Sequence, residues 1–155
     1  MTDRITFVDL YTQQYKRLVQ VARLTTGSNA LAEELVQDAF ADLFRRYDRI
    51  GNPEAYLRLA VMSRCTSWVR RRVVARRHDE QRRPEPVASS DSTTVEVMDI
   101  LARLPVRQRA AIVLRYLADW SERDIAASLG CKQGTVKSLL SRAIAQLAKE
   151  LDYAQ

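Results

Sequence analysis

Two groups of side chains in this sequence have the types and spacing that nucleic-acid chemistry requires. The first lies near the C-terminus, where residues 121–147 read SERDIAASLGCKQGTVKSLLSRAIAQL. Val136, Leu139, Leu140, Ala143, Ile144 and Leu147 repeat as i, i+3, i+4, i+7, i+8, i+11, the period of a helix with one buried face. Gln133, Thr135, Lys137, Ser138, Ser141 and Arg142 fall outside that stripe. They are donors and cations short or flexible enough to meet base edges and phosphates in a major groove. The second group spans residues 56–72, where Tyr56 and Trp68 accompany Arg64, Arg70, Arg71 and Arg72. Aromatic faces stack on unpaired bases while guanidinium groups track the backbone, and strand opening needs both. Each group also has a plainer explanation. The outer face of a C-terminal helix can simply be solvated, Tyr56 and Trp68 can pack a small core, and an arginine-rich helix end can be held by its dipole.

Enzyme chemistry is disfavoured. His78 is the only histidine, and the sequence holds no nucleophile–base set, no glycine-rich phosphate loop and no metal-ligand cluster. No metal or other cofactor is expected. Cys65 and Cys131 are far apart and form no disulfide framework; they read as half-buried small side chains in a reducing compartment. The first residues lack an apolar run of signal-peptide length, and nothing approaches the roughly 20 apolar residues of a membrane span. A cytoplasmic protein without membrane insertion is expected.

The elements that position these groups are helices. Abundant Ala, Leu, Arg and Glu, with four Gly and four Pro in 155 residues, favour an all-α fold. Phe7, Tyr11, Leu18, Val21 and Leu24 can share one face of a first helix, with Gly27 as its C-cap and Ser28 or Asn29 as the next N-cap. Ala32, Leu35, Val36, Ala39, Phe40, Leu43, Phe44 and Tyr47 predict a second buried stripe, opposite Glu33, Glu34, Gln37, Asp38 and Asp42. Asn52-Pro53 opens a third helix that runs through Trp68 and ends among Arg70–Arg72. Residues 78–94, with two prolines and several Ser and Thr, read as a flexible linker. After it, Leu104-Pro105 starts a helix carrying Ala110, Val113, Leu114 and Leu117. Ser121 caps a short helix, Gly130 turns the chain, and a last helix runs from about Gln133 to Leu151. A short helix, a tight glycine turn and a second amphipathic helix make a helix-turn-helix.

Charge is distributed unevenly. The chain carries net +6, yet residues 49–83 alone hold ten basic and three acidic groups, and residues 84–104 one basic and four acidic. A weaker basic surplus follows at the C-terminus. Two basic surfaces separated by an acidic spacer fit two contacts on one nucleic acid.

At these residues the chain resembles the extracytoplasmic-function sigma factors of the sigma-70 family. LGCKQGTVKSLLSRAIAQL is similar to their C-terminal promoter-reading helix, and LPVRQRAAIVLRYLADWSERDIA to the helices before it. AEELVQDAFADLFRRY resembles the helix that grips the polymerase clamp, and NPEAYLRLAVMSRCTSWVRRR the segment that reads and melts the −10 element. Tyr56 and the run Ser67–Arg72 are most like the sigma-E-type actinobacterial subgroup. The resemblance implies two small helical domains: a region 2 bundle at 1–77 and a region 4 helix-turn-helix at 95–155, with the linker 78–94 passing near the RNA exit path.

The resemblance also implies partners and roles. Core RNA polymerase would be contacted at its β′ clamp through Glu34, Gln37, Asp38 and Phe40, and at its β flap. The −10 element would be held by Tyr56, Ser63, Arg64, Trp68, Arg70, Arg71 and Arg72. The −35 duplex would be read by Gln133, Thr135, Lys137, Ser138, Ser141 and Arg142, and an anti-sigma factor would hold the protein inactive. Three positions depart from the family pattern: Ser63 stands where Asn is usual, Glu33-Glu34 where Glu-Asp is usual, and Lys132 where a capping Ser is common. Two other readings stay open on sequence alone. One is a conventional dimeric helix-turn-helix regulator, and the other is a sigma-like interaction protein that has lost promoter opening.

Overall fold

The structure, a computed structural model, describes residues 5–76 and 92–153. Seven α-helices account for nearly all of them: α1 (Phe7–Thr26), α2 (Asn29–Arg46), α3 (Pro53–Arg76), α4 (Ser92–Ala102), α5 (Val106–Ile112), α6 (Glu122–Leu129) and α7 (Gln133–Tyr153). A 3-10 turn over Tyr47–Arg49 follows α2, and a π turn over Val113–Leu117 continues α5. The predicted linker lies mostly outside the described residues, as does His78, but residues 92–94 belong to α4.

Local hydrogen bonds start and stop these helices, at Ser28, Asn52, Ser121, Gly27 and Gly130 where the sequence indicates and at Thr6 where it gave no sign. The hydroxyl of Thr6 accepts from the Asp9 amide at 3.2 Å, that of Ser28 from Leu31 at 3.2 Å, and that of Ser121 from Asp124 at 3.0 Å. The Asn52 carbonyl oxygen accepts from the Ala55 amide at 3.2 Å, with Pro53 at the first helical position. Each such cap contributes about 1 kcal/mol. Gly27 and Gly130 end α1 and α6 at φ 79° and 69°, left-handed conformations that a Cβ would strain.

In the N-terminal half, Leu10, Leu18, Val21 and Leu24 of α1 meet Ala32, Val36, Ala39 and Leu43 of α2 and Leu57, Val61, Met62 and Val69 of α3. Two details differ from the sequence pattern. Leu10 is fully buried while Tyr11 keeps 38% of its surface, because α1 meets α2 at a crossing that turns Tyr11 toward the rim. Phe44, expected in the buried stripe, is 65% exposed at the outer end of α2. Helix α3 also continues beyond Arg72 to Arg76. In the C-terminal half, Leu104, Ala110, Val113, Leu114, Ile125, Leu129, Val136 and Ala143 are buried, whereas Ile144, expected in the buried stripe, is 48% exposed although Leu147 beyond it is half-buried against the core.

The halves do not stand apart. Helix α3 packs on α5 and α6, and α1 packs on α5 and on the π turn, so the buried side chains form one continuous cluster. At its centre Arg109 of α5, 8% exposed, donates through Nε to the Thr25 carbonyl at the end of α1, at 2.9 Å. A helix C-terminus presents carbonyl oxygens without intrahelical partners, and a guanidinium satisfies them with a charge-assisted bond of about 1.5–3 kcal/mol.

Candidate nucleic-acid and protein-docking surfaces

Three surfaces carry the residues singled out by sequence. On the outer face of α2, Glu33, Glu34, Gln37 and Asp38 are exposed, and the Gln37 amide donates to the Tyr15 hydroxyl at 3.2 Å. Phe40 lies beneath this face. It is 3% exposed, with Tyr11, Phe7 and Tyr15 at ring-centroid distances of 4.9, 6.0 and 6.1 Å. Phe40, expected to contact the clamp directly, is instead shielded from the surface by an aromatic cluster. The apolar groups that reach the surface nearby are Val8 (71% exposed), Tyr11 and Phe44, the last packing edge-on against Phe7 at 5.1 Å. Sequence reasoning missed Val8 as a surface group. The signal was an apolar set on α1 and α2 too wide for one buried stripe.

The second surface is α3. Tyr56 and Trp68 are half-buried and pack against the core. Arg70 and Arg71 are exposed and Arg72 is half-buried. Arg64 is not free: its guanidinium pairs with Asp42 of α2 and donates to the Ala60 carbonyl at 3.1 Å. The hydrogen bond from Arg64 to Asp42 is the chief reason the Asp42 carboxyl is held below its ordinary value, with a further contribution from Arg45.

Ser63 is exposed but sits in a crevice between the halves. Arg58 and Leu59 flank it on α3, and Asp119, Ser121, Asp124 and Ser128 line the opposite side. Below it, the Ser128 hydroxyl donates to that of Thr66 at 2.6 Å. Above Thr66 along α3, the Arg70 guanidinium lies 3.2 Å from where a Cβ on Gly130 would stand, so Gly130 admits both the turn and the arginine.

The third surface is the start of α7. Val136, Leu139, Leu140 and Ala143 are buried; Gln133, Lys137, Ser138, Ser141 and Arg142 are exposed, and Thr135 is half-buried. The Ser138 hydroxyl donates back to the Gly134 carbonyl at 3.2 Å, leaving its lone pairs outward. Lys132 occupies the N-cap position, where its carbonyl accepts from the amides of Thr135 and Val136 at 3.0 and 3.2 Å and its side chain is exposed.

No group of three or more His, Cys, Asp or Glu residues able to hold a metal occurs among the described residues. Cys65 is fully buried, deeper than expected, and burial pushes its thiol up to about 12; Cys131 is half-buried. No helix among the described residues is long and apolar enough to cross a membrane.

Residues 10–74 match the description Sigma-70 region 2, and residues 94–147 match Sigma-70, region 4. The chain is 36% identical to an RNA polymerase sigma-E factor of Streptomyces avermitilis, covering 87% of this chain and 79% of that one. It is 35% identical to the ECF RNA polymerase sigma factor SigM of Mycobacterium tuberculosis, covering 97% and 80%. In structure it is similar to the sigma factor RpoE of Bartonella quintana, solved in complex with the anti-sigma factor NepR. The TM-score is 0.67 at 25% identity, over 96% of this chain and 98% of the other.

Proposed function

The chain belongs to the extracytoplasmic-function sigma factors of the sigma-70 family, and from that premise we propose a residue-level division of labour for its action on promoters. It is an alternative sigma factor, not an enzyme: it binds core RNA polymerase and directs promoter-specific transcription initiation through −10 and −35 elements. The observation that carries this is the order of two independent matches, region 2 before region 4, on one chain.

In this division, α2 docks on the polymerase clamp through Glu34, Gln37 and Asp38, ringed by the exposed apolar groups Tyr11 and Phe44. An acidic face with an apolar rim suits a basic protein surface and repels DNA phosphates. Helix α3 receives the −10 strand, with Tyr56 and Trp68 offering ring faces and Arg70, Arg71 and Arg72 the backbone track; Arg64 joins them once released from Asp42. Helix α7 enters the −35 major groove with Lys137, Ser138, Ser141 and Arg142, supported by Gln133 and Thr135 at its start. The expected domain limits 1–77 and 95–155 follow from the same reading, the second moved back to residue 92 where α4 begins, as does the cytoplasmic compartment in which polymerase works. An anti-sigma factor is a partner of the chain on the strength of the Bartonella complex.

The test is run-off transcription with purified core polymerase on fragmented genomic DNA, with the start sites mapped. Specific transcripts sharing a −10 and a −35 sequence are expected. Failure to bind core, together with tight binding of duplex DNA by the chain alone, would replace this reading with that of a conventional regulator.

A further inference from the structure

We propose that Leu59 and Ser63 of α3 form a base-selecting subsite within the −10 face, and that the base they select is an unpaired thymine. This rests on the reading of α3 as the −10 surface and names the chemistry that one part of it reads. Helix α3 buries Leu57, Val61, Met62, Cys65 and Val69. Leu59 stands outside that stripe with 58% of its surface exposed, one turn before the exposed Ser63. Residues four apart are neighbours on a helix surface, and these two side chains line one crevice. The pair offers an apolar surface and a hydroxyl side by side, on a stretch from Ala55 to Arg76 that holds no acidic residue.

Among the DNA bases only thymine presents a protruding apolar group, its C5-methyl, and the O4 acceptor stands beside it. The leucine covers the methyl while the serine hydroxyl donates to O4. Cytosine lacks the methyl and would leave Leu59 facing water. A purine would set its N7 acceptor against the leucine, which has no donor to give it. A single hydroxyl cannot make the paired contacts of an amide, so Leu59 supplies the discrimination that Ser63 alone lacks. The opposite wall of the crevice carries Asp119 and Asp124. Carboxylates there disfavour a phosphate and tolerate a neutral base, so the subsite suits a base edge rather than the backbone. The exposed Arg70 and Arg71 lie about 10 Å farther along α3, at the helical rise per residue, in position for the phosphates.

The experiment reads the methyl group directly. The −10 element is first mapped from run-off transcripts made by core polymerase with the full chain. Each thymine of that element, on either strand, is then replaced singly by deoxyuridine, which differs only in lacking the methyl. At one position the replacement should lower promoter-specific transcription about three- to fivefold, the scale of one buried methyl group. Leu59→Ala should make thymine and uracil equivalent at that position; its retention on core polymerase, read in parallel, shows that the variant folds. Ser63→Ala should lower transcription from both templates and keep the ratio between them. A −10 element without thymine, no methyl-sensitive thymine in the parent, an undiminished thymine-to-uracil ratio in Leu59→Ala, or unchanged transcription by Ser63→Ala would each overturn the proposal. The parent chain on deoxyuridine templates decides the matter with no change to the protein, should Leu59→Ala disturb folding. If the parent gives no promoter-specific transcript with core, the functional reading itself falls, and this proposal with it.

Discussion

The hydroxyl of Ser128 donates to that of Thr66 at 2.6 Å, joining residues 62 positions apart and tying the helix before the glycine turn to the helix carrying Tyr56 and Trp68. Thr66 is 2% exposed, and its own hydroxyl lies 3.0 Å from the Met62 carbonyl and 3.1 Å from that of Ser63. Within reach of two α3 carbonyls and of the Ser128 hydroxyl, the buried Thr66 hydroxyl is satisfied without water. With the Arg109–Thr25 bond it makes the junction between the halves a specific interface.

The aromatic cluster separates packing from docking. Phe40→Ala should cost about 3–5 kcal/mol of stability by leaving a cavity beneath α1 and α2, measured by urea unfolding. Phe44→Ala removes a ring that is 65% exposed. It should change stability by less than about 1 kcal/mol yet weaken retention of the chain on immobilised core polymerase. Equal stability losses would show that the two rings share one role.

Charge reversal and truncation separate the partner surfaces. Asp38→Arg should impair core binding and leave −35 duplex affinity unchanged. Arg142→Ala should weaken that duplex by about 1–3 kcal/mol if it meets a base edge, with core binding intact. Fluorescence anisotropy on the duplex and a core pull-down read the two effects, and an exchange of phenotypes would refute the assignment of the helices.

Lys132 stands at an N-cap without a capping oxygen on its side chain. Lys132→Ser should raise the stability of the intact chain by about 1 kcal/mol, because the serine hydroxyl can accept one of the amides at the start of α7. Thermal unfolding measures it; an unchanged or lower melting temperature would count against the capping account.

The Asp42–Arg64 pair makes a pH signature. The folded carboxyl titrates below its ordinary value of 3.8, chiefly through the Arg64 hydrogen bond. Its contribution is therefore fully present above pH 3.8 and is lost as the pH falls through the lower folded value. Asp42→Asn should be less stable than the parent at pH 6, and the gap should close progressively below pH 3.8. A gap independent of pH would mean that charge is not its origin. The effect should be small and salt-sensitive, because both side chains are partly exposed.

Much of this molecule was legible from residue order alone. The Thr6 cap of α1 and the start of α4 at Ser92, inside the expected linker, were marked by no sequence pattern, whereas the Ser28, Asn52 and Ser121 caps and the Gly27 and Gly130 turns stood where expected, because a cap bonds to an amide three residues on and needs no distant partner. The polar side of α7 was equally clear, since helical period assigns faces without knowledge of the neighbouring helix. Tertiary structure decided what depends on a partner. Leu10 displaces Tyr11 from the core, Phe40 sinks beneath the face it was expected to form, and Arg64 closes on Asp42. Only the assembled fold brings Ser128 to Thr66 and Arg109 to the end of α1. A hydroxyl pair or a buried guanidinium leaves no periodic trace in a sequence; its partner is chosen by how the helices cross.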